Sequence, residues 1–302
     1  MTVTTNRYIT AEQLDQYDRN GFIVLPAVFS DDEVRQMRTE ADYIIELIIN
    51  SSIANKRISG RLEWRVRPDG TQIVRKIQPI NDLSIYLSRI SEDPRLIEPM
   101  RIIMGDEPEL LEEKLNYKQT LPQRIEGLEV SENSDDRFPI HHDWAYYRHE
   151  GYPQTVISSA ISLDTCAEDS GPMHVWPGSH RQDFGHDIDA ATGFDRLVEQ
   201  IDPDAGTDVL CPPGSVMLFH VMLVHNSRAN TSGRPRRMMI YSHCPRGAAM
   251  PPDARNGLHR RLEGPWERQY ERMKTAGVFR DVCKAPVVPG CEAADTRWIT
   301  GK

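Results

Sequence analysis

The sequence predicts a mainly β fold with flanking helices, and three observations carry that prediction. From Lys114 onward, short apolar runs alternate with turns marked by Gly and Pro, the pattern of a sandwich or barrel. The first hundred or so residues instead show helical spacing around one early strand. No repeat, low-complexity tract or linker separates the two parts, and 302 residues with 39% hydrophobic content suffice for one core. A single domain over 1–302 is therefore expected, with a helical part to about 110, a β core over about 111–250 and a helical tail.

Each element has a local cause. Thr10 with Gln13 three residues on forms a capping box that opens a helix, and Gly21 ends it. Phe22-Ile23-Val24-Leu25 is a short strand stopped by Pro26. Ser30-Asp31-Asp32-Glu33 opens a longer helix with Val34, Met37, Ala41, Ile44, Ile45 and Ile48 on one stripe. Trp64 to Pro79 reads as a hairpin turning at Pro68-Asp69-Gly70. Asp93 as N-cap and Pro94 as first helical residue start a helix that runs to Met104. Strands are expected at Lys114–Thr120, Phe138–Trp144, Thr155–Asp164, Met173–Trp176, Ser215–His220, Val221–Ser227 and Arg236–His243. Leu258–Ala276 is expected to be an amphipathic helix.

Composition narrows the partners to a small-molecule substrate. A net charge of -9 argues against nucleic acid, which needs a basic face, and against an anionic membrane surface. No apolar run approaches the roughly 18 residues of a membrane span. Met1 to Arg7 lacks the apolar stretch of a signal peptide. The cysteines, Cys166, Cys211, Cys244, Cys283 and Cys291, are odd in number and scattered, so thiols in a reducing compartment are expected. The chain reads as cytoplasmic, a monomer or homodimer.

The chemistry concentrates in Ile140-His141-His142-Asp143-Trp144 and Leu223-Val224-His225-Asn226-Ser227. A His-x-Asp pair with a distant His is the ligand set of the facial triad that holds Fe(II) and leaves open positions. If Phe138–Trp144 is a strand, His141 and Asp143 share one face and His142 takes the other. His220 competes with His225 for the third ligand; His225 is preferred because Ser227 and Arg236 stand at suitable offsets from it. A hairpin between Val221–Ser227 and Arg236–His243, joined by Arg228 to Pro235, would set His225 opposite Arg236 with Ser227 on the same face. A guanidinium fork there suits the far carboxylate of a 2-oxo diacid. Trp144, Tyr146, Tyr147 and Arg148 flank the metal pair and are the substrate-contact candidates. The bland alternatives are histidines hydrogen-bonded on a sheet, a solvated strand arginine and core aromatics. Residues 124–137 carry Glu126, Glu129, Glu132, Asp135 and Asp136, as a lid before the metal strand would. A solvated loop is the plain reading of the same segment.

Three blocks resemble the phytanoyl-CoA dioxygenase family of Fe(II)/2-oxoglutarate-dependent oxygenases. They are Tyr17 to Pro26 with Phe29 to Val34; His141-His142-Asp143 with Ile161 to Asp164 and Asp169-Ser170-Gly171-Pro172 through Pro177-Gly178-Ser179-His180; and Pro213-Gly214-Ser215 through His225 and Ser227 to Arg236-Arg237. The resemblance implies a double-stranded β-helix, the jelly-roll core also called cupin-like. It implies Fe(II) on His141, Asp143 and His225, 2-oxoglutarate held by Arg236 and Ser227, and O2 as oxidant. Lys118 or Gln119 lies where relatives place a further co-substrate contact. Two departures stand out. Ser158-Ser159-Ala160 replaces an aromatic common in relatives, and Trp144 to His149 lacks the longer motif of the ectoine hydroxylases, so the chain is not assigned to that subgroup. Asp143 disfavours the family's halogenases, which carry a small residue there. The implied reaction is hydroxylation or oxidative cyclisation of a small molecule. The acidic loop points to a polar or cationic natural product, such as an aminosugar or glycoside of antibiotic biosynthesis. A lipid acyl or amino-acid-derived substrate is the alternative, and a metal-dependent sensor is the non-enzyme one. A zinc or manganese hydrolase, the remaining rival, would have no use for Arg236.

Overall fold

The computed structural model describes residues 8–54, 58–80, 83–121, 124–125, 135–148, 151–182, 184 and 195–248. The expected tail helix at Leu258–Ala276, together with Cys283 and Cys291, lies outside the described residues.

Helix α1 (Ala11–Asn20) opens on the expected capping box. Thr10 Oγ1 accepts from the Gln13 N–H at 3.2 Å, and Gln13 Oε1 accepts from the Thr10 N–H at 2.8 Å. It closes at Gly21, whose N–H donates to the Tyr17 carbonyl at 2.7 Å. Strand β1 (Phe22–Leu25) follows, then helix α2 (Asp31–Ala54) and the hairpin of β2 (Leu62–Val66) and β3 (Gln72–Ile77). Helix α3 (Ile85–Ile90), which lacks a sequence signal beyond its Ser84 cap, leads to α4 (Pro94–Met104).

The remaining strands are β4 (Pro108–Thr120), β5 (Phe138–His141), β6 (Ile157–Ser162), β7 (Met173–Val175), β8 (Thr207–Asp208), β9 (Val216–His220), β10 (His225–Ser227) and β11 (Met238–Pro245). They form two antiparallel sheets. One has seven strands in the order β1-β9-β6-β11-β4-β3-β2, and the other has four in the order β5-β10-β7-β8. From β4 to β7, and again from β9 to β11, successive strands alternate between the two sheets. That winding is the double-stranded β-helix.

Helix α2 covers the outer face of the large sheet. Its Met37, Ala41, Ile44, Ile45 and Ile48 pack in one cluster with Leu115, Tyr117, Ile161, Leu218 and Tyr241 of the strands. Burying each such side chain is worth roughly 1.5–3 kcal/mol against exposure. Polar ties fix the contact: Tyr117 Oη donates to the Ala41 carbonyl at 2.7 Å, and Arg237 reaches Asp164 through two bonds of 2.9 Å and Asp42 at 2.7 Å.

Two sequence expectations change here. Strand β5 stops at His141, because Asp143 enters the four-residue helix α5 (Trp144–Tyr147). The expected hairpin of His225 with Arg236 does not form. β10 pairs with β5 and β7, whereas β11 pairs with β4 and β6. The eight residues from Arg228 to Pro235 exceed a tight hairpin loop and carry the chain across from one sheet to the other.

Candidate metal centre and co-substrate pocket

His141 and His225 meet because β5 and β10 run antiparallel with these two residues directly opposite one another. Side chains paired in that way share a face, and the two rings lie 4.2 Å apart between centroids. Asp143 joins them by another route. The turn into α5 brings its carboxylate to 3.5 Å from His141 Nε2 and 3.8 Å from His225 Nε2. Nitrogen and oxygen donors of all three lie within 4.8 Å of one another, and all three residues are buried. His142 faces away, and its Nδ1 accepts from the Ala145 N–H at 3.2 Å. His220 lies apart from the group, its Nδ1 accepting from the Met222 N–H at 3.1 Å.

The ring orientations suit a metal. His141 Nδ1 lies 2.7 Å from the Pro139 carbonyl, and His225 Nδ1 lies 2.9 Å from the Leu223 carbonyl. A carbonyl only accepts, so each Nδ1 carries the proton and each Nε2 presents its lone pair toward Asp143. Burial, with His141 adjacent, pushes His225 down to about 4, so its ring is neutral. Burial alone would raise the Asp143 carboxyl, but the charges around it, Lys114 foremost, hold the group far below the usual carboxylate range. Two neutral imidazoles and one carboxylate on one side of a cavity fit a divalent iron with open positions.

The cavity has a volume of about 330 Å³ and takes residues from both sheets. Beyond the triad it meets Ser227 of β10 and Arg236, which stands just before β11 of the large sheet. Arg236 is only 1% exposed, and its Nε–H has no hydrogen-bond partner among the described residues. Its remaining nitrogens donate to the Gly171 carbonyl and approach Met238 Sδ at 3.7 Å. A buried guanidinium that lines a cavity, with one N–H unpartnered among the described residues, suits an anion such as the 5-carboxylate of 2-oxoglutarate.

Other expected contacts are placed differently. Lys118 and Gln119 are absent from the cavity wall. Lys118 turns its ammonium to the Arg228 carbonyl, and burial with Arg236 nearby pushes it down to about 7. Asn116, two residues earlier on the same strand, faces the cavity with its Oδ1 unpartnered among the described residues. Tyr146 and Tyr147 line the wall, whereas Trp144 and Arg148 do not and instead stack on one another at 5.7 Å. Of the acidic loop, Glu126, Glu129 and Glu132 lie outside the described residues. Asp136 is buried and accepts from the Asn230 N–H at 3.1 Å, and Asp135 pairs with Arg137. Neither forms a solvent-facing acidic lid.

Sequence reasoning missed the charged wall. Glu112, Lys114 and Asn116 of β4 face the cavity at every second position, while Glu113, Leu115 and Tyr117 between and after them are buried. Glu63, Arg75, Lys76 and Gln78 reach the same cavity from the β2–β3 hairpin. The polar–apolar alternation in β4 was a readable signal; the contribution of the hairpin depends on long-range pairing and was not.

The phytanoyl-CoA dioxygenase family model matches residues 17–238. The ectoine dioxygenase of Halomonas elongata is 27% identical over 249 residues, 76% of this chain and 68% of that protein. The L-proline trans-4-hydroxylase of Streptomyces griseoviridis is 27% identical over 266 residues, 78% and 87% of the two chains. The crystal structure of EctD from S. alaskensis with 2-oxoglutarate and 5-hydroxyectoine shares the fold at TM-score 0.62 and 24% identity, covering 82% of this chain and 80% of that one. With the match spanning the metal pair, the distant histidine and Arg236, the chain belongs to the phytanoyl-CoA dioxygenase family of Fe(II)- and 2-oxoglutarate-dependent oxygenases.

Proposed function

We propose that this chain hydroxylates a small, polar, charge-bearing molecule, with Fe(II) held by His141, Asp143 and His225 and 2-oxoglutarate held by Arg236 and Ser227. Bound there, iron and 2-oxoglutarate supply oxidation by O2 at the expense of decarboxylating the co-substrate to succinate. The residues position and neutralise. His141 and His225 are kept as lone-pair donors by their backbone carbonyls. Arg236 compensates the far carboxylate of the co-substrate, and Asn116 lines the same cavity.

One observation supports the polar substrate: the wall around the triad holds Glu63, Arg75, Lys76, Gln78, Glu112 and Lys114. An acyl chain would strip water from these ion pairs and offer them no polar contact in return. The relatives named for ectoine and L-proline act on compact, charged molecules of the kind this wall fits. An aminosugar-type product of secondary metabolism would rely on Glu63 and Glu112. Thiols at Cys166, Cys211 and Cys244 support a reducing compartment, for which we propose the cytoplasm.

The test is co-substrate turnover. The purified protein should form succinate from 2-oxoglutarate only with Fe(II) and O2 present. Asp143→Ala should remove more than about 99% of that rate and of the bound iron, because one ligand of three is lost. Equal succinate formation by Asp143→Ala would reject the assignment.

A further inference from the structure

The β2–β3 hairpin carries an imbalance of charge that the metal and co-substrate do not use. Glu63 is met by three cations: Arg75 through Nη1, Arg65 Nη2 at 2.8 Å and Lys76 Nζ at 3.4 Å. One carboxylate cannot neutralise three positive groups, so the cluster keeps a positive surplus beside the cavity. Arg75 is the buried member, 8% exposed, with its guanidinium carbon 3.8 Å above the centre of the Phe138 ring. Stacking on Phe138 and the bond to Glu63 fix its plane. Its Nε–H nevertheless has no partner among the described residues, and its side chain lines the same cavity as the triad. Tyr146 connects the two regions, lining that cavity with its ring 5.8 Å from the His141 ring.

A buried donor left idle costs about 1–3 kcal/mol, more when it is charged. Such a group persists where a ligand completes it. Arg236 has the same signature in the same cavity, so the wall holds two guanidinium groups whose Nε–H lacks a partner among the described residues, and 2-oxoglutarate accounts for one.

We infer that Arg75, backed by Arg65 and Lys76 around Glu63, is the specificity-determining residue that receives a carboxylate of the substrate. The inference rests on the oxygenase reading and names the substrate class within it: a small carboxylate-bearing molecule, such as an amino acid or a zwitterionic derivative of one. Glu112 of the same wall already accepts from Lys114 at 2.9 Å and from Gln78 at 3.0 Å, so the surplus charge of the wall lies with the Arg75 cluster.

The experiment uses the anaerobic Fe(II)–2-oxoglutarate complex of the full chain and its visible absorption band, which shifts when a substrate enters the cavity. The probes are ectoine, L-proline and the other common amino acids, the carboxamide of each, and glucosamine as an acid-free amine. At least one carboxylate should shift the band where its carboxamide and glucosamine do not. Arg75→Gln should weaken that response about tenfold to a hundredfold, the range expected for a lost charged hydrogen bond. Arg75→Lys should fall between. The dependence of the band itself on 2-oxoglutarate should not move in either variant, which separates a substrate contact from a co-substrate contact or a folding defect. A band with no preference for carboxylates, or an Arg75→Gln response equal to wild type, would overturn the inference alone. Failure to form any band would overturn the oxygenase reading, and the inference with it.

Discussion

Arg236 and Arg237 are adjacent, yet they serve opposite sides of the large sheet. Arg236 turns inward to the cavity, and Arg237 turns outward to Asp164 and Asp42. The period of two along extended backbone sets that division. Arg236 depends in turn on Gly171, whose carbonyl accepts from it and whose φ is +66°. A Cβ at Gly171 would stand 2.3 Å from the Arg228 carbonyl oxygen, so the loop would have to move. Gly171→Ala should therefore lower both the melting temperature and the affinity for 2-oxoglutarate. Gly233→Ala, also at positive φ (+71°) but with no atom within 4 Å, should cost only about 1 kcal/mol of stability and leave that affinity unchanged. Equal effects on 2-oxoglutarate binding would show that Gly171 does not position Arg236. At this scale the sequence identified the triad, Ser227 and Arg236 as one group, because their residue types are chemically distinctive. Arg75 and Asn116 resemble ordinary strand residues until the pairing of β3 with β4 places them on the cavity wall.

The elements explain why some correct groupings had incorrect reasons. Alternation along a strand through Trp144 would have paired His141 with Asp143, but β5 ends at His141 and a helical turn delivers the aspartate. A hairpin would have paired His225 with Arg236, but β10 and β11 lie in different sheets, and Arg236 stands just before β11. Local patterning located the helices and most strands, since capping boxes, turn residues and apolar stripes are short-range signals. Which strands become neighbours depends on the crossing segments, and no short-range signal encodes that. The joint between α2 and the large sheet gives a test at this scale. Arg237→Ala would leave Asp42 without this partner and Asp164 with Arg38 alone, and breaking a buried pair costs up to about 3–5 kcal/mol. Chemical denaturation should show a loss of that size, with binding of 2-oxoglutarate to the folded fraction retained. A loss below about 1 kcal/mol would mean that apolar packing alone seats the helix.

At the scale of the whole molecule, His220, His225 and His243 contribute, among the described residues, to the response to acid. Burial pushes His220, His225 and His243 each down to about 4. In the unfolded chain they titrate near 6.5. Between those values the unfolded state binds the extra protons, so the contribution of these rings to stability is complete above about pH 6.5 and is lost as the pH drops toward 4. Calorimetry of the metal-free protein from pH 7.5 to 4.5 should show a declining melting temperature; a flat profile would contradict the burial of these rings. The central claim is narrower: one cavity between the two sheets holds iron on His141, Asp143 and His225 and chelated 2-oxoglutarate against Arg236. It is tested most directly by titrating the anaerobic protein with Fe(II) and 2-oxoglutarate while recording the visible charge-transfer band of the chelate. The account predicts a saturable band with one iron per chain, and for Arg236→Ala a 2-oxoglutarate requirement raised about tenfold or more. Absence of the band, or a band that titrates identically in Arg236→Ala, would contradict it.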